Sequence, residues 1–143
     1  MKKLVFISLL AVLALVISGC SSTDLTARKS LNVNLADYKT FHVERLPADK
    51  RGIDVLIANR LKELGFRAST GDLSPSDKVD AIITYQDKWM WDITMYMIEL
   101  TIQVRAPDTR ISIASGRSFR TSLARRSPDE MVKETLDKIF EQK

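Results

Sequence analysis

The sequence predicts an α+β fold of two layers. It consists of a largely antiparallel sheet of about five strands with two helices on one face, in the order β-α-β-β-β-β-α. Three observations predict it. Residues 95–105 alternate side chains as a half-buried strand does, with Tyr96, Ile98, Leu100, Ile102 and Val104 on one side and Met97, Glu99, Thr101, Gln103 and Arg105 on the other. Two segments, one containing Ile53, Leu56, Ile57, Leu61 and Leu64 and one containing Met131, Val132, Leu136, Ile139 and Phe140, carry apolar residues at helical spacing. The remaining strand-like segments lie between these two helices or just before the first.

The elements follow in order. Residues 39–45 read as the first strand, because Phe41 and Val43 alternate with Thr40, His42 and Glu44. The stretch from Asp49 to Gly52 turns the chain into the first helix, and Gly65 stands where a left-handed helix stop is expected. Residues 66–69 form a short second strand, and residues 70–78, with Gly71 and Pro75, form a loop. Residues 79–88 are rich in β-formers and read as the third strand, before the alternating strand 95–105. Pro107-Asp108 supplies turn chemistry, and residues 111–120 return as a hairpin partner, with Gly116 marking a bulge. The last helix has a clear start: Ser127 as N-cap, Pro128 in the first turn and Glu130 three residues on, the pattern of a capping box.

The amino terminus carries a different signal. Lys2 and Lys3 precede an uncharged run, residues 4–17, that is apolar except near Ser8. Small residues Ser18 and Gly19 and then Cys20 close it. This is the make-up of a secretory signal, and the run is shorter than the roughly 20 residues of a spanning helix. Ile17-Ser18-Gly19-Cys20 resembles the lipobox of bacterial lipoproteins. The resemblance implies cleavage between Gly19 and Cys20 and covalent lipid, palmitate-type acyl chains, on the Cys20 thiol and new amine. The domain plan is then a signal peptide at 1–19, a lipidated cysteine and polar tether at 20–30, and a single α+β domain at 31–143. Ser21, where an inner-membrane lipoprotein of the enterobacterial type has Asp, implies an outer-membrane, periplasm-facing address.

Composition narrows the function classes. Cys20 is the only cysteine and His42 the only histidine. Lipidation of Cys20 excludes thiol nucleophiles, disulfides and cysteine zinc sites, and one histidine excludes a two-histidine metal site. No metal and no cofactor other than the covalent lipid is expected. Removing Lys2 and Lys3 lowers the formal charge from +4 to +2, so the high pI argues little for nucleic acid. No serine-esterase, phosphate-loop or dinucleotide signature occurs, and a non-enzymatic role is expected.

The domain itself resembles uncharacterised bacterial lipoprotein domains of unknown function. The residues that carry this are Tyr38-Lys39-Thr40-Phe41, Leu61-x-x-Leu64-Gly65-Phe66, Val79-Asp80-Ala81-Ile82-Ile83-Thr84-Tyr85 and the late Asp108-Thr109 turn. Arg110 departs from the glycine often found in such turns. The element order is also broadly similar to the amino-terminal domain of TolB. The resemblance implies a periplasmic module and no catalytic residues.

Three candidate sites emerge. Trp89 and Trp91, two apart in an extended segment, face one side, and Tyr85 shares their parity. Exposed, they would anchor a protein or sugar partner; otherwise they cap the core. Arg117, Arg120, Arg125 and Arg126, with Arg105 and Arg110, either bind phosphate or carboxylate groups of lipopolysaccharide or peptidoglycan or pair with acidic residues of the last helix. Asp87 and Asp92 flank the tryptophans, and a carboxylate-based hydrolase would need both in one cleft; solvated surface carboxylates are the alternative. His42 is expected at the surface or sheet edge. The leading expectation is a membrane-anchored binding or assembly module acting on an envelope protein or cell-wall component.

Overall fold

Residues 81–105 are the densest in β-formers, and in the computed structural model, which describes residues 22–72 and 78–141, they make one long hairpin. Strand β4 (Ala81–Asp92) turns at Ile93, whose φ is +61°, into antiparallel β5 (Thr94–Arg105). Strand β6 (Ser112–Arg120) pairs with β5, and β1 (Thr23–Lys29) pairs with β6, both antiparallel. On the other side of β4 lie β2 (Thr40–Val43) and then β3 (Arg67–Thr70), both parallel pairings. The six-stranded sheet has the order β1-β6-β5-β4-β2-β3. Helices α1 (Ile53–Glu63) and α2 (Pro128–Phe140) complete the α+β fold.

The sheet is therefore mixed and has six strands, where a largely antiparallel sheet of about five strands is expected from sequence. The parallel β2–β3 pair has a topological cause. Helix α1 joins β2 to β3, and a helical crossover brings the second strand back in the same direction as the first. The sixth strand, β1, occupies residues assigned from sequence to the tether. The sheet thus takes in Thr23–Lys29, ahead of the start near Leu31 expected from sequence. The strand sits at the sheet edge, where half of its side chains stay in water, so its apolar alternation rests on Leu25 and Ala27 alone.

One core joins the sheet to both helices. Phe41, Val43, Ile83, Leu100, Ile102 and Val104 from the sheet meet Ile53, Ile57 and Leu61 of α1 and Met131, Leu136 and Ile139 of α2, all nearly or fully inaccessible. Burying each such side chain contributes about 1.5–3 kcal/mol. Phe41, Phe66 and Phe140 pack at ring centroids 4.8–5.8 Å apart where the two helices meet β2.

The helix ends follow their local chemistry. In α1, Gly65 takes φ +93°, its N–H donates to Lys62 O, and the Phe66 N–H donates to Leu61 O, which together close a Schellman motif. In α2, Ser127 and Glu130 form the reciprocal capping box with Pro128 in the first turn. Gly116 is not a bulge; it pairs regularly with Ile102 and Ala27. It is small because α2 lies on it: a Cβ there would stand 2.7 Å from Ile139 Cγ1. Arg110 adopts φ +59°, the conformation glycine favours, and its N–H donates to Ala106 O.

The register breaks once within the long hairpin. Lys88 faces Glu99 but Trp89 faces Met97, so Ile98 is an extra residue. This bulge reverses the parity expected for β5. Met97 joins the core, and Tyr96 turns to the opposite face beside Met90.

Candidate functional site

The core end of the hairpin is tied to the start of α1. Asp49 is buried and accepts from the N–H groups of Arg51 (2.7 Å), Gly52 (3.0 Å), Ile53 (2.8 Å) and Asp54 (3.4 Å). The Tyr85 hydroxyl donates to the same carboxylate at 2.7 Å and accepts from Leu46 N–H. Burial alone would push the Asp49 pKa up. The Tyr85 hydroxyl and the N–H groups of Arg51, Ile53 and Asp54 outweigh it and hold the carboxyl below its ordinary 3.8. Burial, and then the bond to Asp49, pushes the Tyr85 hydroxyl up. Gly52 has no side chain to cap α1, so Asp49 does this from three residues upstream.

Tyr85, Trp89 and Trp91 therefore do not form one patch. Tyr85 is 2% exposed. Trp89 is half-buried against the core; its indole N–H donates to Asp87, and the Arg51 guanidinium lies 4.0 Å over its ring. Trp91 is 69% exposed, opposite Met95. The exposed apolar group is instead the hairpin tip, where Met90, Trp91, Ile93 (87%) and Met95 are all open to solvent. Only Trp91 of this group was marked from sequence; the others become visible once Ile93 is known to be the turn.

The late arginines have partners within this same chain, carboxylates for all of them except Arg105. Arg117 bridges Asp24 (2.7 Å) and Glu99 (2.5 Å) on the uncovered sheet face. Arg120 pairs with Glu134 at 2.5 Å, and Arg126 lies 3.6 Å from both Glu130 and Glu134. Arg125 stacks over Tyr96, donates to Thr94 Oγ1 at 2.8 Å and lies 3.8 Å from Asp92. Arg110 pairs with Glu44, and Arg105 donates to Thr84 and to the Arg110 carbonyl. The Lys88 ammonium, then Arg117 against the opposing effect of burial, holds the Glu99 carboxyl below its ordinary value.

The carboxylates do not converge. Asp87 is held by the Trp89 indole, whereas Asp92 stands at the exposed tip beside Arg125. A shallow groove of about 310 Å³ opens on the uncovered face, lined by Glu44, Thr84, Gln86, Thr101, Gln103 and Arg105. Several of its polar groups are bonded to one another. His42 is buried rather than exposed: Nε2–H donates to Gly71 O (3.1 Å), and Nδ1 accepts from Ser69 Oγ (3.0 Å), fixing β2 to edge strand β3. Among the described residues no cluster of His, Cys, Asp or Glu is arranged to hold a metal ion. Cys20 and Gly19 lie outside the described residues, and no helix among those described is long and apolar enough to cross a membrane.

No protein-family model matches the chain, and no curated protein does. Solved structures do. A single-substitution variant of the PelC dodecamer from Paraburkholderia phytofirmans aligns with a TM-score of 0.61 at 11% identity, over 85% of this chain and all of that one. A second crystal form of the PelC dodecamer aligns at 0.57 and 11% identity, over 82% of this chain and 94% of that one. A DUF4136 family protein from Bacteroides thetaiotaomicron aligns at 0.52 and 9% identity, over 83% and 95% of the two chains. At such identity the likeness is one of fold. It meets the resemblance to domains of unknown function at that level.

Proposed function

We propose that this chain is an envelope lipoprotein, anchored through acyl chains on Cys20, whose α+β domain is a non-enzymatic binding or assembly module. The observation that carries this reading is the placement of β1. The lipobox-like Ile17-Ser18-Gly19-Cys20 ends three residues before Thr23, the first residue of the sheet. A lipid there would hold the folded domain directly against the membrane, with two or more acyl chains giving stable attachment. Ser21 supports an outer-membrane, periplasm-facing address. The matched arginines and the separated Asp87 and Asp92 weigh against direct recognition of lipopolysaccharide or peptidoglycan by the arginine cluster, and against hydrolysis. Edge-strand pairing is also the weaker route to a partner. Edge strand β1 carries Asp24, Arg28 and Lys29, and β3 is only four residues long.

Intact-mass analysis of the full chain, expressed in a diderm bacterium, tests the anchor. The expected species begins at Cys20, carries acyl chains and sediments with membranes, whereas Cys20→Ala carries no acyl chains and is not cut as a lipoprotein. A species retaining residues 1–19 with an unmodified Cys20 overturns the reading. The dodecamers of the PelC structures favour self-association as a second reading. Sedimentation of the mature protein, giving a single discrete oligomer or a monomer, decides it.

A further inference from the structure

The direction of the strands places the apolar hairpin tip and the membrane anchor at the same end of the molecule. Thr23 pairs with Arg120, and the next residue of β6, Phe119, pairs with Glu99 of β5. From that level β5 runs on outward through the bulge to Thr94, and the turn residue Ile93 lies beyond it. At about 3.3 Å per residue, Ile93 stands roughly 15 Å past Thr23 along the strand direction. Cys20, three residues ahead of Thr23, reaches at most about 10 Å in that direction. The tip therefore protrudes to the depth of the anchor and somewhat past it.

The side chains at this end have the composition of a membrane interface. Trp91, Ile93 and Met95 are 69%, 87% and 49% exposed. Leu123, 81% exposed, lies in the 3-10 turn Ser122–Ala124 that follows β6 at this end. That segment touches both features: Thr121 N–H donates to Ser22 O, and the Arg125 guanidinium donates to Thr94 Oγ1. Just behind the apolar residues stand the ion pairs Lys88–Glu99, Arg125–Asp92 and Arg126–Glu130, with Tyr96 buried under the Arg125 guanidinium. An exposed apolar edge that carries a tryptophan and is backed by paired polar groups is an arrangement that sits at the headgroup boundary of a bilayer. The opposite end of the sheet also exposes Leu31 and Ile111, but it faces away from the anchor.

We infer that the tip of the β4–β5 hairpin, with Trp91, Ile93 and Met95 and with Leu123 beside it, seats in the phospholipid surface of the membrane that holds Cys20. This rests on the reading of Cys20 as lipidated. The hairpin is then a second attachment point that fixes the orientation of the domain, its strands steep to the membrane and its β5–β6 turn farthest away.

The test uses the full mature lipoprotein in vesicles of phosphatidylethanolamine and phosphatidylglycerol, with Trp89→Phe so that Trp91 is the only reporter. Lipids spin-labelled near the headgroup end of the acyl chain should quench Trp91 at least about twofold more than they quench a reporter at the far end, Trp89→Phe/Trp91→Phe/Ile111→Trp. The wild type minus Trp91→Phe, which keeps Trp89, gives the same comparison without touching the core. Equal quenching of the two ends in a chain whose mass shows lipid on Cys20 overturns the inference and leaves the anchor standing. Trp91 shielded from acrylamide but not quenched by labelled lipid assigns the tip to a protein contact and also overturns it. A chain whose mass shows no lipid overturns the anchor, and the inference with it.

Discussion

The two ends of the β4–β5 hairpin are built from similar residues and do opposite things. At the root, Ile83, Tyr85, Leu100 and Ile102 are closed off by α1 and α2, and the Tyr85 hydroxyl is bonded to Asp49. At the tip, Met90, Trp91, Ile93 and Met95 have comparable apolar bulk with no helix over them. The same strands supply stability where they are covered and a surface for contact where they outrun their cover. Apolar character alone therefore does not mark core; the length of the covering helices decides where core stops.

Substitutions at the two ends should separate these roles. The largest effect is expected at the root: Leu100→Ala removes a fully buried side chain and should cost about 2–5 kcal/mol in urea unfolding. A cost below about 1 kcal/mol would show that the root is not the core. Next, Asp49→Asn removes the charge that holds the first N–H groups of α1 and the Tyr85 hydroxyl, and should cost about 1–3 kcal/mol at pH 7. The sign of its pH dependence is fixed. Because the folded carboxyl titrates below 3.8, its contribution is complete above that value and is lost as pH falls further. Urea midpoints of wild type and Asp49→Asn should therefore draw together below about pH 4; a gap that widens there contradicts the arrangement.

Gly116→Ala probes the other side of the core. Its Cβ would meet Ile139 and Thr135 of α2 at 2.7–3.0 Å, so overpacking of about 1–3 kcal/mol is expected. An unchanged thermal midpoint would mean α2 shifts freely on β6. The smallest effect belongs to the tip. Trp91→Ser should change stability in urea unfolding by no more than about 0.5 kcal/mol. A tip substitution that unfolds the domain would erase the contrast between the two ends.

Much of this was legible in the sequence. The capping box at Ser127 and Glu130, the Gly65 stop and the strands around Phe41 and Leu100 depend on neighbours in the chain, and local patterns report them. What stayed hidden depends on partners distant in sequence. The side chains of β1 that face the sheet are few because an edge strand needs few, so its polar letters read as a tether. The extra residue at Ile98 reverses Tyr96 and Met97 without any glycine or proline to announce it. Residue counting likewise shows that α1 joins β2 and β3 but not that β2 lies beside β4. At the candidate site, parity grouped Tyr85 with the tryptophans, but only the depth of the helices shows that the three occupy three environments. Arg120 and Arg126 pair with the last helix as one alternative expected, but Arg117 and Arg110 pair with Asp24, Glu99 and Glu44, contacts between strands that the chain order does not announce.

The position of β1 also has a mechanical meaning. A pull on the anchor runs along the axis of a seven-residue strand whose rungs to β6 all resist sliding at once. Loaded in this direction the ladder shears as a unit instead of opening rung by rung. On the proposed anchoring, a domain dragged by a lipid on Cys20 would keep its first strand, and with it that edge of its sheet.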